Sequence, residues 1–245
     1  MNLVRTLFTT RRILQQVRHD HRTIALIIFV PTFLMGFLSW MLSSVPNAFN
    51  QWGGPLLGIF PLIVMFLITS VATLRERTSG TLERLMVSPI QKSEFILAYA
   101  IAFSILGAIQ ALIAALVSIN IYGLDTKGHT AAIVLVAVID AVMGTALGLL
   151  ASSMARTEFQ AVQFMPVFLI PQFLLGGFIV ERDSLPDFLG LLSNLMPLSY
   201  SIDALNIALR SETLGGQYWE NILIVLGIML SALILGGLTL PRSSR

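Results

Sequence analysis

The sequence contains six apolar stretches, each about as long as a helix that crosses a lipid bilayer. A spanning helix needs about 20 mostly apolar residues. The stretches that meet this requirement are 24–43, 54–74, 95–121, 131–153, 161–180 and 219–240. A seventh apolar run, 188–198, is too short to span and contains Asn194 and Pro197, which predicts a re-entrant, interfacial or buried segment. We therefore expect an all-α integral membrane protein with six transmembrane helices.

The composition agrees with a chain that is surrounded by lipid. Only 11% of the residues are charged and 56% are hydrophobic, whereas soluble domains carry about 25% charged residues. The sequence has no cysteine, which excludes thiol catalysis, cysteine–metal sites and disulfides. His19 and His21 lack the set of carboxylate or cysteine ligands that a metal site needs, His129 lies apart from them in a predicted outer loop, and the net charge is only +2. We therefore predict neither a metal site nor a nucleic-acid partner.

The positive charges predict how the chain is oriented. All lysines and arginines except Lys127, Arg182 and Arg210 lie before the first span, after spans two and four, or in the C-terminal tail. Cytoplasmic loops carry an excess of Lys and Arg. We therefore expect both termini in the cytoplasm of a cell membrane, with 181–218 as an extracellular or re-entrant segment and 219–245 as the sixth span with its tail.

Residues 1–23 are predicted to form an amphipathic helix on the cytoplasmic membrane surface. Apolar residues recur at helical spacing, which favours such a helix over a solvated basic tail. The apolar stripe consists of Leu3, Leu7, Leu14 and Val17, and the arginines expected near lipid phosphates are Arg5, Arg11, Arg12 and Arg18.

The spans hold little reactive chemistry. Asp140 is the one ionisable residue well inside a span, and such carboxylates are candidates for a functional role or mark a polar pocket between helices. Residues 123–130 follow the spacing of a phosphate-binding loop, but His129 replaces the required lysine and the segment joins two spans. We therefore expect no nucleotide site in this chain, and any ATP must be hydrolysed by another polypeptide.

Two glycine pairs have the small-xxx-small spacing that lets helices approach closely. They are Gly54 with Gly58, and Gly144 with Gly148. The spacing alone is consistent with packing inside one chain and with a dimer contact.

The predicted cytoplasmic loop 75–94 contains a candidate docking helix. Thr81 is placed to begin it, Leu82 and Leu85 give it a small apolar face, and Pro89 ends it. A short helix of this kind, parallel to the membrane, fits a groove on a soluble partner.

This loop resembles the cytoplasmic loop of ABC-2 type transporter permeases, including the daunorubicin-resistance type. The shared pattern is E-R-x-x-G-T-L-E-x-L, and it begins at Glu76. Residues 156–166, 175–186 and 196–205 also resemble the family, in the same order. One residue departs from the pattern, because Glu181 stands where related chains usually have proline.

The resemblance implies a partner and a coupling site. Two permease copies, identical or sister chains, would pair in the membrane, and each would bind one cytoplasmic ATPase subunit that carries ATP and Mg²⁺. The implied ATPase-coupling residues are Glu76, Arg77, Gly80, Thr81, Leu82, Glu83, Arg84 and Leu85.

The resemblance also implies a pathway and an outer gate. Spans one, two and five of both copies would line the substrate route, and 184–206 would form two short re-entrant helices at its extracellular mouth. The candidate pathway residues are Phe33, Phe37, Trp40, Phe60, Phe66, Phe164, Phe168 and Asp140, with Phe29 and Phe173 as further aromatic candidates. The candidate gate residues are Pro186, Pro197, Tyr200 and Asp203.

The predicted function is the permease subunit of a bacterial ABC exporter for a hydrophobic or amphipathic substrate, such as a drug or a lipid-like molecule. An exporter of lipid-linked glycan from the same superfamily has the same topology and remains an alternative. An ATP-independent channel or secondary carrier, with Asp140 as a proton site, is another. A membrane enzyme is disfavoured, because no paired acid and base residues are present.

Overall fold

The computed structural model describes residues 2–78, 92–127 and 129–239. In these residues the chain forms nine α-helices and one 3₁₀ turn, and no strand. The helices are α1 (Leu3–His19), α2 (His21–Met41), α3 (Ala48–Thr78), α4 (Lys92–Asn120), α5 (Thr130–Met154), α6 (Glu158–Leu175), α7 (Asp187–Ser193), α8 (Pro197–Arg210) and α9 (Gly216–Thr239), and the 3₁₀ turn is Arg182–Ser184.

Six of these helices are long and apolar enough to cross a membrane, namely α2, α3, α4, α5, α6 and α9. This confirms the predicted all-α class and the six spans. The bounds differ most for the second span, where α3 covers 48–78 and not 54–74, and for the fifth span, where α6 ends at Leu175 and not at residue 180. Gly177 has φ +81°, in the left-handed region that favours glycine and that ends a helix.

The centre of the bundle is the pair α3 and α5. In their most apolar windows 67% and 72% of the residues are buried, whereas α2 and α6 have only 17% each. A Cβ on Gly144 of α5 would collide with the Leu62 carbonyl oxygen of α3. A Cβ on Gly148 would lie 2.7 Å from the Phe66 carbonyl oxygen. Both glycines therefore serve packing inside the chain, as small residues do where helix backbones approach closely.

Helix α1 packs across α4 through its polar side. Thr6, Thr9 and Thr10 are buried, and the Thr10 hydroxyl donates to the Ala98 carbonyl oxygen at 3.3 Å. The predicted apolar stripe divides, because Leu3 and Leu7 are exposed while Leu14 and Val17 pack partly against the core. The amphipathic helix is therefore present, and its contact with the membrane stays a prediction.

The two ends of the bundle differ in character. At one end of the bundle, α1, the last turn of α3 and the start of α6 come together. We call this the basic end, and it holds Arg12, Arg75 and Arg77. We call the other end the loop end; it holds the connections 121–129 and 211–215.

Helices α7 and α8 form a hairpin that enters the bundle from the loop end. Near its start, α8 contacts Gln172, whose side-chain oxygen lies 3.4 Å from the Leu198 amide nitrogen. At its end, the Arg210 carbonyl oxygen accepts a hydrogen bond from Lys127 in the 121–129 loop at 3.2 Å. Ser201 of α8 reaches Asp140, which lies ten residues into α5, or about 15 Å along that helix. The hairpin therefore reaches well into the bundle.

Glu181 is a position where proline should fit. Its φ of −56° lies in the range of proline, and its side chain is exposed. We expect Glu181→Pro to keep the fold and to raise the free energy of unfolding by about 0.4–1 kcal/mol, since proline restricts the unfolded chain. Thermal melting of the purified protein checks this, with Glu181→Ala as the control for losing the carboxylate. A clear drop in the melting temperature for the proline variant alone would show that the turn needs the residue-181 amide.

Candidate functional site

The last turn of α3 is tied to three other helices at the basic end. Glu76 forms an ion pair with Arg12 of α1 at 2.7 Å, and Arg75 binds both carboxylate oxygens of Glu158 on α6, at 2.9 and 3.0 Å. Arg77 donates to the Ser152 carbonyl oxygen of α5. Because the segment 79–91 follows directly, its first attachment point is held by contacts to α1, α5 and α6.

These contacts bear on the predicted coupling residues. Glu76 and Arg77 are half-buried and make contacts within the chain, so they anchor the start of the predicted coupling segment. The other predicted coupling residues, Gly80, Thr81, Leu82, Glu83, Arg84 and Leu85, lie outside the described residues. The contacts of Glu76 and Arg75 could not be read from the sequence, because their partners Arg12 and Glu158 are more than 60 residues away.

A cluster around Arg182 closes the hairpin onto α6. The guanidinium donates to Asp203, to Ser193 Oγ at 3.1 Å and to Asn194 Oδ1 at 2.6 Å, and it lies 4.8 Å from the centroid of the Tyr200 ring. We call these five residues the Arg182 cluster. The Ser193 hydroxyl in turn donates to the Leu175 carbonyl oxygen at 2.8 Å, which fixes the C-terminal end of α6 to α7.

Two of the predicted gate residues, Tyr200 and Asp203, belong to the Arg182 cluster. Burial raises the pKa of Asp203 above its usual value, and the hydrogen bond from Arg182 opposes that shift. Pro197 is buried at the first turn of α8, and Pro186 precedes α7 and is exposed. The four residues thus lie in one hairpin, although Arg182, which connects its parts, was not among the predicted gate residues.

We expect Arg182→Ala to loosen this hairpin. The change leaves the partly buried Asp203 carboxylate without its cation, and a lost hydrogen bond to a charged group costs about 1.5–3 kcal/mol. Hydrogen–deuterium exchange should therefore speed up in 187–200 while α3 and α5 stay protected. Arg210→Ala, at the end of α8, removes an exposed arginine as the control. Equal exchange in both variants would show that the cluster does not hold the hairpin.

A row of aromatic rings covers one side of α2. Neighbouring ring centroids lie 5.2, 6.3 and 6.2 Å apart along the series Phe29, Phe33, Phe37 and Trp40. All four side chains are exposed. Three of the predicted pathway residues, Phe33, Phe37 and Trp40, therefore lie on a free face of the chain, which we call the aromatic face.

The other predicted pathway aromatics lie deeper. Phe60, Phe164 and Phe168 are half-buried, and Phe173 packs on Phe178 at a centroid distance of 4.7 Å. Phe66 is fully buried, with its ring centroid 5.9 Å from that of Phe168. In this conformation Phe66 is thus part of the core and does not reach any surface.

Asp140, the remaining predicted pathway residue, is fully buried between α3, α5 and α8. It accepts a hydrogen bond from Ser201, and Oδ2 has no hydrogen-bond partner among the described residues. Gly58 of α3 lies against Asp140, and a Cβ at residue 58 would collide with the Asp140 carboxylate. The sequence did not reveal Ser201 as a partner, because it lies 61 positions away in the hairpin.

A bundle of six span-length helices, with a helical hairpin inserted from one end, defines an all-helical multi-pass membrane protein. Residues 5–209 match the family model described as ABC-2 type transporter. Because this match covers most of the sequence, the chain belongs to the ABC-2 type transporter family.

Curated relatives carry permease and transporter names. The chain is similar to "Probable multidrug ABC transporter permease YbhS" of Escherichia coli, with 28% identity over 76% of this chain and 49% of that protein. It is 30% identical to "Probable multidrug ABC transporter permease YbhR" of the same organism over 64% of this chain and 44% of that protein. "ABC transporter G family member 20" of Dictyostelium discoideum is 26% identical over 73% of this chain and 25% of that protein. The chain thus spans about half or less of the length of these relatives.

Proposed function

We propose that this chain is the membrane-spanning permease subunit of an ATP-driven exporter that moves a hydrophobic or amphipathic substrate out of the cell. The observation that carries the proposal is the family match over 5–209, together with the multidrug permease names of two relatives. ATP and Mg²⁺ would be bound by a separate ATPase subunit. Because positive charge is retained in the cytoplasm, the basic end would face inward and the loop end outward.

Coupling to the ATPase would take place at residues 76–85. The contacts of Arg75, Glu76 and Arg77 support this, because they connect the start of that segment to α1, α5 and α6. A push on the segment would therefore act on several helices at once. The conformational change itself requires that ATP binding favours one arrangement of the subunits over the other.

A second permease copy would pack on the free faces of α2 and α6. These two helices are the least buried of the six, and the aromatic face lies on α2. The substrate would pass between the two copies, beside spans one, two and five. Aromatic side chains without neighbouring charges suit an apolar or amphipathic molecule better than an inorganic ion.

The hairpin α7–α8 would act as the outer gate. Its position at the loop end and the contact of Ser201 with Asp140 support this, because they bring a pair of short helices next to the centre of the bundle. The Arg182 cluster would hold the gate in the arrangement seen here.

The competing proposal is an ATP-independent carrier in which Asp140 binds a proton. Its supporting observation is that Asp140 Oδ2 is buried without a hydrogen-bond partner in the described residues. Under that proposal Asp140→Asn abolishes transport and no ATPase accompanies the protein. Under the exporter proposal the same variant keeps ATP-dependent transport, because asparagine still accepts from Ser201.

Purification from native membranes tests the exporter proposal. The tagged chain is extracted in mild detergent, and the proteins that come with it are identified by mass spectrometry. We expect an ATPase subunit in equal amount to the permease. A tagged membrane protein of another family, prepared in parallel, shows which proteins adhere non-specifically. Purification without any ATPase, under conditions where the chain stays folded, would contradict the proposal.

A further inference from the structure

Helices α1, α2, α3 and α4 line a partly open slot of about 490 Å³ near the basic end. One end of the slot is polar and is lined by Gln16, Asp20, Arg75 and Glu76. The other end is apolar and reaches Val30 of α2, ten residues beyond Asp20, or about 15 Å along the helix. Ligand sites of about 300–1,000 Å³ are common in proteins, so the volume suits an amphiphile of modest size.

The charges at the polar end do not cancel. Glu76 is paired with Arg12, and Arg75 is paired with Glu158. Asp20 accepts hydrogen bonds from Thr23, at 3.2 Å from the backbone nitrogen and 2.7 Å from the hydroxyl, and forms no ion pair in the part of the chain that the structure describes. The slot therefore carries one carboxylate in excess at its polar end.

This carboxylate is charged at neutral pH. The hydrogen bonds from Thr23 hold the pKa of Asp20 below its ordinary value. Arg18 and Arg22, the neighbouring cations on the chain, are exposed and do not line the slot. A cationic group that enters beside Asp20 thus meets a carboxylate without an ion-pair partner in the described residues, on which Arg22 and Arg75 act only from a distance.

The rest of the slot suits the apolar part of such a molecule. Leu26, Val30, Val64 and Leu67 line it from two sides, and the buried ring of Phe103 closes it from α4. This apolar lining suits an alkyl chain, because ligand pockets are lined mainly by hydrophobic side chains. An anionic head group would lie beside the Asp20 carboxylate, which has no ion-pair partner in the described residues, and this disfavours it.

We propose that this slot binds cationic amphiphiles, with the ammonium group beside Asp20 and the alkyl chain between α2, α3 and α4. The slot borders the free face of α2, because Leu26 lines it and is itself exposed. If the bound amphiphile is also the exported molecule, the inference rests on the proposed export function and names the substrate class of the exporter. Binding of the amphiphile to the slot by itself requires neither ATP nor an ATPase.

Photolabelling tests the site directly. The chain is reconstituted in phosphatidylcholine nanodiscs and labelled with a dodecyltrimethylammonium probe that carries a diazirine at the end of the chain. We expect labelled peptides from 13–30, 64–76 and 99–103, which together line the slot. Unlabelled dodecyltrimethylammonium should compete for this labelling, and dodecyl sulfate should not.

The decisive variant is Asp20→Asn, because asparagine removes the charge and its side-chain oxygen still accepts from the Thr23 backbone N–H, while its NH₂ group can donate to the Thr23 hydroxyl. We expect the affinity for the cationic probe to fall about twofold to fivefold, the range of an exposed charge pair. The matched control is Asp125→Asn, since Asp125 also accepts a local backbone hydrogen bond, from Lys127 at 3.1 Å, but lies at the loop end. Ala72→Phe, which fills the slot, should abolish the labelling.

Three results would overturn the inference. They are labelling that Asp20→Asn leaves unchanged, labelling outside these three peptides, and equal competition by dodecylphosphocholine, which would show a phospholipid site. Failure of the export proposal is distinguishable. Asp20-dependent binding without ATP-driven transport supports the slot and contradicts the exporter, whereas a co-purifying ATPase without Asp20-dependent labelling contradicts only the slot.

Discussion

Replacing Gly144 by leucine is expected to prevent the chain from forming a stable bundle. A Cβ at residue 144 collides with the Leu62 carbonyl oxygen, and that oxygen belongs to the backbone of α3, which cannot turn aside as a side chain can. Helices α3 and α5 would have to separate at the centre of the molecule. Overpacking a core costs about 1–3 kcal/mol and more where the backbone must move. We expect the purified variant to be aggregated or absent on size-exclusion chromatography.

Gly227→Leu is the matched control for this prediction. Gly227 lies in α9, is exposed and has nothing within 4 Å of a built Cβ, so leucine there should leave the elution profile unchanged. Gly144→Ala should be intermediate, with a lowered melting temperature. A well-folded Gly144→Leu protein with the wild-type melting temperature would show that α3 and α5 do not pack as described.

Changes in the predicted coupling segment should have the opposite signature, namely loss of transport with the fold intact. Gly80→Pro removes a backbone donor and disfavours a helix around that position. Glu83→Arg reverses a charge on the surface expected to meet the ATPase, and a like-charge contact at an interface is unfavourable. We expect both variants to insert normally and to lose ATP-driven transport about tenfold or more. Transport into inverted vesicles, with ATP hydrolysis measured in parallel, checks this.

Glu212→Arg is the control for the charge reversal. Glu212 is exposed in the connection 211–215 at the loop end, far along the chain from the segment and on the side predicted to face outward. It should keep both transport and ATP hydrolysis. If Gly80→Pro and Glu83→Arg also retain both activities, the ATPase does not engage this segment.

The existence of the spans could be predicted from the sequence, because burial in lipid leaves a local signal. Runs of about 20 apolar residues identify spanning helices whatever they pack against. The end of α6 was misplaced, because the apolar residues Phe178, Ile179 and Val180 continue the run while the conformation of Gly177 ends the helix. Composition gave no sign of that backbone change.

The tertiary contacts of the candidate site could be predicted only in part. The break between α7 and α8 follows from Asn194 and Pro197, and both glycine pairs were recognised as close-approach positions. The insertion of α8 beside Asp140 could not be predicted, because it depends on contacts between residues 61 positions apart. The same holds for the pairing of Arg12 with Glu76, and the sequence therefore assigned Arg12 to lipid phosphates.

The most direct test of the central claim uses the absence of native cysteines. Glu83→Cys gives a single thiol in the predicted coupling segment, and Glu212→Cys gives one at the loop end. A membrane-impermeant maleimide should label residue 83 only in inverted vesicles and residue 212 only in intact cells. A benzophenone maleimide at residue 83 should then cross-link to an ATPase subunit. Labelling of residue 83 in intact cells, or cross-links to lipid alone, would contradict the account.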